Sequence, residues 1–261
     1  MTLQITDLTI DIRGRRVVDG VSFSLGDGER LGLIGESGSG KSLTALAVLG
    51  LLPRGAVVGG SIRLDGRELV GLHDDEFAAF RGRQAAIVFQ EPATALNPVR
   101  TVGAQIAEPL RIHYGLSRVQ ARARVVQLAE QVALPDPERI IRQYPHQLSG
   151  GQRQRVAIAV ALSTSPRLLI ADEPTTALDV TIQAGILDLF DRTVRDSGAS
   201  LLFITHDFAV LSQITSRAVV LAGGRVVEEG SVAEVLHGGA HPVTRSLADA
   251  ARATSWTGVD A

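Results

Sequence analysis

Apolar and polar positions divide this chain into three regions with different periodicity. In the first region, short apolar runs are separated by the turn dipeptides Asp27-Gly28 and Asp65-Gly66, a pattern typical of short strands. Residues 92–161 are instead rich in Ala, Arg, Gln and Glu at helical spacing. The third region returns to short apolar runs at residues 168–171 and 201–204, which predict buried parallel strands.

The same pattern predicts several individual elements. A short apolar strand at residues 30–34 leads into a glycine-rich turn, and residues 42–52 predict a helix that stops at Pro53. Residues 85–90 predict another buried strand. A helix predicted over residues 180–197, between the two late strands, indicates an α/β sheet.

The end of the chain follows a simpler pattern. Gly223-Gly224 lies between two short β-rich runs and predicts a hairpin. Residues 249–261 are small and polar, and predict a loose tail. No internal repeat or low-complexity linker interrupts the sequence, so a single domain over residues 1–261 is expected.

Composition narrows the class of protein. With 261 residues, 45% of them hydrophobic and 21% charged, the chain has a globular balance that excludes a disordered protein. The net charge of -2 does not indicate nucleic acid or an anionic membrane as partner, because both usually select a basic surface. Cysteine is absent, which excludes disulfides and thiolate metal sites. No apolar run approaches the ~20 residues of a membrane span and the start does not read as a signal peptide, so we expect a cytosolic protein.

One basic residue is unusual. Among the 26 lysines and arginines, Lys41 is the single lysine. A GC-rich genome would account for the arginine bias, since it favours arginine codons. Lysine carries a compact point charge on a flexible stem, whereas arginine is a planar fork. The exception therefore indicates that this position needs an ammonium group.

Lys41 lies in the first chemical motif, a glycine-rich turn between a predicted strand and a predicted helix. Residues 35–42 read GESGSGKS and fit G-x-x-x-x-G-K-[ST] in the required context. The glycines let backbone N–H groups point inward, and the helix N-terminus adds its positive dipole end. Lys41 can reach the β- and γ-phosphates of a nucleotide, and the hydroxyl of Ser42 can bind Mg²⁺. An ordinary glycine turn with an incidental lysine is the alternative. The predicted phosphate-binding residues are Gly35, Glu36, Ser37, Gly38, Ser39, Gly40, Lys41 and Ser42.

The second motif is a pair of acids at the end of an apolar strand. Residues 168–174 read LLIADEP, which places Asp172 and Glu173 at the carboxyl edge of a parallel sheet. Asp172 is suited to hold Mg²⁺, and Glu173 to polarise an attacking water. A solvated turn is the alternative for the pair alone. Together the two motifs predict a P-loop nucleotidase. A nucleotide kinase would also contain both motifs.

The third motif, LSGGQ at residues 148–152, distinguishes these classes. A Ser-Gly-Gly sequence that opens a helix is a second anion-binding helix start. One nucleotide does not need two such sites in one chain, so the second would serve a γ-phosphate held by another copy or a partner. An ordinary serine N-cap followed by flexible glycines is the alternative. The residues concerned are Ser149, Gly150, Gly151 and Gln152.

The order of these three motifs resembles the ATP-binding subunit of an ABC transporter, over residues 3–248. The resemblance implies ATP and Mg²⁺ as ligands and an α/β P-loop NTPase fold with a RecA-like core. It also implies an N-terminal antiparallel β subdomain within that core, which comprises residues 1–90 and 162–248. An inserted α-helical subdomain would then occupy residues 91–161.

The resemblance also implies roles for four further positions. Gln90 matches the Q-loop glutamine, which contacts Mg²⁺ and the attacking water and senses the membrane subunit. Asp179 closes the sequence Ala177-Leu178-Asp179, which matches the D-loop at the dimer interface. His206 matches the switch histidine that touches the γ-phosphate, and Glu173 matches the catalytic carboxylate.

Plainer roles remain open for the same residues. By itself, Gln90 reads as a polar strand end, Asp179 as the cap of the helix that begins near residue 180, and His206 as a structural histidine. The chain also departs from the family pattern near Ile12, where an aromatic residue usually stacks on the adenine. That departure leaves the choice between ATP and GTP open.

Four longer strings narrow the resemblance to one branch. Residues 91–101, 144–152, 172–183 and 241–247 are similar to the ATPases of peptide and nickel importers. This branch implies two transmembrane permease subunits, a second identical or homologous ATPase and an extracellular solute-binding protein. It implies a place at the cytoplasmic face of a bacterial cell membrane, and no nucleic acid. The solute would be a peptide, nickel or a metal chelate, and the short cysteine-free end slightly favours the nickel type.

Two further expectations concern surfaces. The resemblance implies that the helical region near residues 90–110 docks the permease. Several arginines between residues 111 and 130 are interpreted as a solvated helix face, in preference to a basic patch for membrane or nucleic acid.

The alternative function is a soluble ABC-type ATPase that acts on nucleic acid or ribosomes. The chain lacks the tandem domains and long coiled-coil insertions usual there. An unrelated P-loop kinase or a non-enzymatic binding module would not need the full set of motifs.

Overall fold

The structure, a computed structural model, describes residues 3–176 and 179–255. It divides into two compact units, a first unit of Met1–Phe77 with Ser200–Ala261 and a second unit of Ala78–Ala199. Within the described residues, no helix combines the length and the apolar character needed to cross a membrane. The predicted boundaries of the helical subdomain, at residues 91 and 161, stay a prediction. In chain order the elements are β1 (Leu3–Ile12), β2 (Arg15–Leu25), β3 (Arg30–Gly35), α1 (Lys41–Val48), β4 (Ala56–Leu64), β5 (Arg67–Glu68), α2 (Asp74–Phe80), β6 (Ala85–Val88), α3 (Pro92–Ala95), α4 (Val102–Tyr114), α5 (Arg118–Gln131), α6 (Pro137–Ile140), a 3₁₀ helix (Pro145–Gln147), α7 (Gly150–Leu162), β7 (Leu168–Asp172), α8 (Val180–Ser197), β8 (Ser200–Thr205), α9 (Phe208–Ile214), β9 (Arg217–Ala222), β10 (Arg225–Ser231), α10 (Val232–Gly238) and α11 (Pro242–Ser255).

The first unit contains an antiparallel sheet in the order β2-β1-β4-β5. Its strands alternate buried and exposed positions, as in β2, where Val21, Phe23 and Leu25 are buried and the residues between them are exposed. This alternation places one face against the core and leaves the other in solvent. The predicted N-terminal strands with their Asp27-Gly28 and Asp65-Gly66 turns are therefore confirmed.

The first unit also contains the strands that carry the glycine-rich turn. β3 lies between β8 and β9 and runs parallel to both, and β10 pairs with β9 in the antiparallel sense. Every residue of β8 is buried, as expected for an inner parallel strand. The Gly223-Gly224 hairpin joins β9 to β10 as predicted.

The second unit combines one parallel strand pair with helices. β6 pairs with β7 in parallel, and α7 packs against β6, α4 and α5. α7 contributes the buried side chains Val156, Ile158 and Leu162 to this core. The region from residue 92 to 161 is helical throughout its regular structure, as its composition predicts.

Three predicted boundaries are wrong. The helix predicted to residue 52 ends at Val48, because Gly50 adopts φ +62° and its N–H donates to the carbonyl of Ala47, closing the helix early. The strand predicted to residue 90 ends at Val88. The tail predicted from residue 249 is helical to Ser255, because α11 buries Ala248 and Ala251. Residues 256–261 lie outside the described part.

Candidate functional site

The glycine-rich turn connects β3 to α1 in the first unit, as the motif requires. β3 ends at Gly35, and α1 begins at Lys41. Gly38 and Gly40 have φ of +78° and +101°, a conformation that glycine adopts without the steric cost of a side chain. Gly40 is the N-cap of α1, and no side chain caps this helix end. The positive end of the helix dipole therefore faces the turn.

Close packing explains two of the glycines in this turn. A Cβ at Gly35 would lie 2.2 Å from the carbonyl oxygen of Leu221 and 2.8 Å from the Oγ of Ser39. At Gly40, a Cβ would lie 3.0 Å from Cγ2 of Val18. The backbone of β9 and the side chains of β2 thus hold the turn in place and leave no room for larger residues.

Lys41 is folded back over the turn. Its side chain is only 4% exposed, and Nζ donates hydrogen bonds to the carbonyl oxygens of Gly35 and Glu36, at 2.7 and 2.8 Å. The hydroxyl of Ser39 is also buried and has no hydrogen-bond partner among the described residues. A buried hydroxyl without a partner is costly unless a polar ligand satisfies it. These features fit the binding of phosphate groups.

His206 follows the end of β8, next to this turn. β3 and β8 are parallel neighbours with Ile34 opposite Thr205, so Gly35 and His206 follow at the same edge. The His206 side chain is exposed. The residue after it is fixed by two contacts, because the N–H of Asp207 donates to Oγ1 of Thr205 at 3.1 Å and Asp207 caps α9. Asp207 was not predicted from the sequence, although an acid directly before an apolar helix is a recognisable cap signal.

Gln90 and Glu173 likewise follow the ends of two paired parallel strands, β6 and β7, in the second unit. Val88 of β6 lies opposite Ala171 of β7, and Gln90 and Glu173 each follow two residues later. The strands therefore bring these two residues to one edge, next to Asp172, which is 7% exposed. Gln90 lies beyond its strand and is exposed, not the closing residue of the strand as predicted.

Glu173 has an uncommon backbone conformation. Its φ is +45°, in the left-handed region that residues with a side chain seldom adopt. Thr176 supports this conformation, since its hydroxyl donates to Oε2 of Glu173 at 3.0 Å. Backbone strain of this kind is concentrated at functional sites. Thr176 was not predicted from the sequence, because the periodicity of the chain gives no signal for it.

The helix start at LSGGQ has a reciprocal side-chain cap. Ser149 is the N-cap of α7, and its Oγ accepts the N–H of Gln152 while Oε1 of Gln152 accepts the N–H of Ser149. Gly151 is buried, and a Cβ there would lie 2.7 Å from Cγ2 of Ile182. The ordinary cap considered for Ser149 is therefore present, and close packing against α8 explains Gly151. Ser149 and Gly150 are exposed.

Asp179 is likewise a helix cap. Its Oδ1 accepts the N–H of Ile182 at 3.0 Å at the start of α8, which confirms the cap. Ala177 and Leu178 lie outside the described residues. Ile12 ends β1 opposite Arg15, next to a turn in which Arg13 has φ +51°. Ile12, where the resemblance predicts an aromatic residue, is thus apolar, with Arg13 next in sequence and Arg15 opposite it in β2.

Comparisons with known proteins agree with this arrangement. Residues 18–176 match the ABC transporter family. The chain is 47% identical over 256 residues to a putative peptide import ATP-binding protein of Brucella ovis, covering 91% of this chain and 76% of that protein. It is 46% identical over 232 residues to the oligopeptide transport ATP-binding protein AppD of Bacillus subtilis, covering 88% and 71%.

Solved structures show the same fold. The dimeric ATP-binding cassette MJ0796, in a post-hydrolysis state bound to ADP and Pi, has a TM-score of 0.78 at 29% identity, covering 88% of this chain and 98% of that one. The protein cbiO1 from Clostridium perfringens, part of the transporter complex cbiONQ, has a TM-score of 0.77 at 26% identity, with 90% of each chain covered. The chain therefore belongs to the ABC transporter family, as an ATP-hydrolysing subunit of its peptide import branch.

Proposed function

We propose that this ATPase energises the uptake of peptides by a bacterial importer. The observation that carries the proposal is the identity of 46–47% with proteins named for peptide transport in two bacteria. Both are named for peptides, so peptides are the proposed solute in preference to nickel or a metal chelate. In this proposal the chain works at the cytoplasmic face of the membrane with two permease subunits, a second ATPase and, indirectly, an extracellular solute-binding protein.

The glycine-rich turn is the proposed site for the phosphates of ATP. Backbone N–H groups of residues 35–42 and the ammonium of Lys41 would neutralise the phosphate charge, and the buried Ser39 hydroxyl would gain a partner. To do so, the Lys41 Nζ would exchange its two carbonyl partners for phosphate oxygens. The dense packing at Gly35 supports this role, because a turn held by its neighbours loses little entropy when a ligand binds.

The proposed Mg²⁺ ligands are Ser42, Gln90 and Asp172. Hydroxyl, amide and carboxylate oxygens are the donors that Mg²⁺ prefers, and the buried carboxylate of Asp172 fits such a ligand. Bound Mg²⁺ would neutralise charge on the β- and γ-phosphates.

Glu173 is the proposed general base. A water molecule attacks the γ-phosphorus, its oxygen forms the new P–O bond, and Glu173 accepts a proton from it. The bond between the γ-phosphorus and the bridging oxygen breaks, and that oxygen leaves with ADP. His206 would donate a hydrogen bond to a γ-phosphate oxygen as charge moves onto ADP, and Gln90 would orient the water. The left-handed backbone of Glu173 supports a functional role, because such strain persists where a side chain must point in one direction.

The second ATPase subunit would complete the site. We propose that Ser149, Gly150, Gly151 and Gln152 contact the γ-phosphate of the nucleotide held by the partner, with Asp179 near the interface between subunits. The dimeric state of the related MJ0796 cassette supports this arrangement. The exposure of Ser149 and Gly150 supports it too, since a capped and exposed helix start is accessible to another molecule.

The test is to isolate the chain from native membranes in mild detergent, with Glu173→Gln and the control Glu130→Gln in parallel. Two membrane subunits and a second ATPase should accompany all three proteins. Hydrolysis should fall at least ~100-fold for Glu173→Gln with ATP binding retained, because the base is lost. The exposed Glu130 on α5 should be replaceable within about twofold. Recovery with ribosomes or nucleic acid and no membrane subunit would overturn the transport proposal.

A further inference from the structure

The first unit offers a bound nucleotide no exposed phenylalanine or tyrosine ring within its described residues. Both tyrosines of the chain belong to the second unit, and Trp256 lies outside the described residues. All the phenylalanines of the first unit are buried in its core, namely Phe23, Phe77, Phe203 and Phe208. An aromatic ring is the surface on which a nucleobase stacks most favourably. A base whose phosphates lie in the glycine-rich turn therefore finds no such ring in the described part of this unit.

The second unit has an exposed aromatic surface directly before LSGGQ. The rings of Tyr144 and His146 stack with their centroids 5.7 Å apart and their planes 11° from parallel. Tyr144 is 39% exposed, and His146 is exposed as well. Each ring covers part of one face of the other, so a third flat group would stack on an outer face. We call these two side chains the aromatic pair.

The backbone holds the aromatic pair in a fixed position beside α7. The N–H of Tyr144 donates to Oε1 of Gln147 at 2.8 Å, which closes the 3₁₀ helix. Pro145, between the two rings in sequence, is buried, and its carbonyl oxygen accepts a hydrogen bond from Nε of Arg153 on α7 at 2.9 Å. Two residues separate His146 from the N-cap of α7. The aromatic pair and the start of α7 therefore form one continuous surface within the second unit.

The spacing along this surface suits a nucleoside triphosphate. A residue spans at most ~3.6 Å, so the backbone of His146 lies within ~11 Å of Ser149 and that of Tyr144 within ~18 Å. In an extended nucleotide, the ribose and two phosphates separate the base from the γ-phosphate by a distance of the same order. A nucleotide whose γ-phosphate contacts Ser149 can therefore bring its base to the aromatic pair.

We propose that the aromatic pair of one copy of this chain stacks on the base of the nucleotide held by the glycine-rich turn of a second copy. The proposal rests on the proposed function, in which Ser149 contacts the γ-phosphate of the partner's nucleotide, and it adds the contact that selects the base. Each copy then lacks a stacking ring for its own nucleotide and provides one for the nucleotide of its partner.

This contact determines which nucleotides close the pair of copies. Stacking uses the flat face of a base and not the hydrogen-bonding groups at its edge, so it distinguishes bases by the size of the ring system. ATP and GTP should therefore promote dimerisation similarly, and UTP less well. Ribose 5′-triphosphate, which has no base, should act at least ~5-fold less well than ATP. The aromatic pair thus selects a purine and leaves ATP and GTP undistinguished.

Dimerisation of the full chain tests the role of the ring. In a Glu173→Gln background, which keeps the triphosphate intact, analytical ultracentrifugation measures the dimer formed with ATP and with ribose 5′-triphosphate. Adding Tyr144→Ala should weaken ATP-driven dimerisation at least ~5-fold and abolish the advantage of ATP over ribose 5′-triphosphate. Adding Tyr144→Phe should keep that advantage, because the ring remains. Tyr114→Ala, at an exposed tyrosine on α4, is the matched control and should keep it too.

Nucleotide binding by the single chain provides the internal control. Tyr144→Ala should leave ATP binding by the monomer unchanged, because a chain does not stack on its own nucleotide. Unchanged binding also shows that the variant is folded. Weaker ATP binding by the monomeric variant, or an advantage of ATP over ribose 5′-triphosphate that survives Tyr144→Ala in the dimer, would overturn the proposal.

Photolabelling decides which copy provides the ring. Isotopically heavy Lys41→Ala chain, which should hold no nucleotide of its own, is mixed with light Glu173→Gln chain and 2-azido-ATP, a nucleotide with a photoreactive base. Trypsin releases residues 143–153 as one peptide that contains both rings. The heavy form of this peptide should carry the label. Label confined to light peptides, or to peptides of the first unit, would overturn the proposal.

The outcomes separate this proposal from the proposed function. If the chain is recovered with membrane subunits but no triphosphate joins two copies, or the dimer forms without regard to the base, only the aromatic pair proposal fails. If no membrane subunit accompanies the chain but the heavy peptide is labelled, the transport proposal fails and the stacking contact between copies stands.

Discussion

The two helix starts that carry the glycine motifs are built differently. α1 begins after a left-handed Gly40 with no side-chain cap, and the adjoining Ser39 and Lys41 are each 4% exposed. α7 follows its N-cap Ser149, which forms a reciprocal cap with Gln152, and Ser149 and Gly150 are exposed. Both ends present a helix dipole, but only at α7 does a capping side chain accept one of the first N–H groups, that of Gln152.

This difference indicates how each end is used. We propose that an uncapped end within a buried turn is stabilised by a ligand that its own chain binds. A capped end is stable by itself, and can be presented to another subunit without cost before that subunit arrives. The comparison therefore predicts that substitutions at α1 impair nucleotide binding by the isolated chain, whereas those at α7 leave that binding unchanged and impair hydrolysis only after assembly.

Loss of the lysine at α1 should have the largest effect. We expect Lys41→Ala to lower ATP hydrolysis at least ~100-fold and to weaken binding of a nonhydrolysable ATP analogue in the isolated chain, because a buried charge is removed from the turn. Lys41→Arg should fail similarly, since a planar guanidinium cannot replace the compact ammonium that reaches the carbonyls of Gly35 and Glu36. Normal analogue binding by Lys41→Arg would show that charge alone suffices.

At α7, two substitutions of Ser149 should separate its cap from its phosphate role. Asp is as good an N-cap as Ser, so Ser149→Asp should keep the stability of the chain, but its charge should repel the γ-phosphate of the partner's nucleotide. We expect a loss of at least ~10-fold in hydrolysis by the assembled complex and unchanged nucleotide binding by the isolated chain.

Ser149→Ala is the complementary variant. It should cost about 1 kcal/mol of stability, because the cap is lost, and should impair hydrolysis less than Ser149→Asp. Urea unfolding and ATPase assays on the same preparations check both variants. If Ser149→Asp remained fully active in the complex, the cap would be the whole role of this residue.

The glycine beside this cap should show a smaller effect, on stability. Gly151→Ala places a Cβ 2.7 Å from Cγ2 of Ile182, and such overpacking costs about 1–3 kcal/mol. Adding Ile182→Ala removes the clashing methyl, so the double variant should lose less stability than the sum of the single variants. Gly238→Ala, where no atom lies within 4 Å, should be nearly neutral. Additive losses in urea unfolding would contradict the packing explanation.

The smallest expected effect is on the pH dependence of stability, and it concerns Glu68, whose carboxylate accepts backbone N–H groups. Burial would raise the pKa of Glu68, but hydrogen bonds from the Ser61 hydroxyl, from the N–H groups of Ile62 and Val70, and from Arg63 outweigh it and lower the pKa to about 2. A carboxylate with a lowered pKa stabilises the fold above its ordinary pKa of about 4.5. That contribution is lost as the pH falls toward about 2.

Glu68→Gln tests this pH dependence. The side chain is 38% exposed, so solvent screening should limit its contribution to less than ~1 kcal/mol. The difference in stability between wild type and Glu68→Gln should be constant near neutral pH and shrink between pH 4.5 and 2. A difference that grew as the pH fell through this range would reverse the sign of the argument.

Local sequence signals predicted the elements that are fixed by local forces. The helix predicted over residues 180–197 matches α8, since Asp179 caps its start and Gly198 ends it in the left-handed conformation. The turn between β3 and α1 also lies where the glycines and the lysine predict it. By contrast, the end of α1 was misplaced, because the run of leucines after Gly50 continues the apolar pattern past the residue that stops the helix.

The sequence by itself determined the family of this ATPase and the residues that we propose for its chemistry, because the motifs need particular side chains at fixed spacing. Only the tertiary structure decided why Gly35 must be glycine, since its constraint comes from Leu221, a residue remote in sequence. It also decided the strained backbone of Glu173 and the contact of Arg153 on α7 with the carbonyl of Pro145. These features depend on packing between separate elements, and no periodicity along a single element records which partner it will meet.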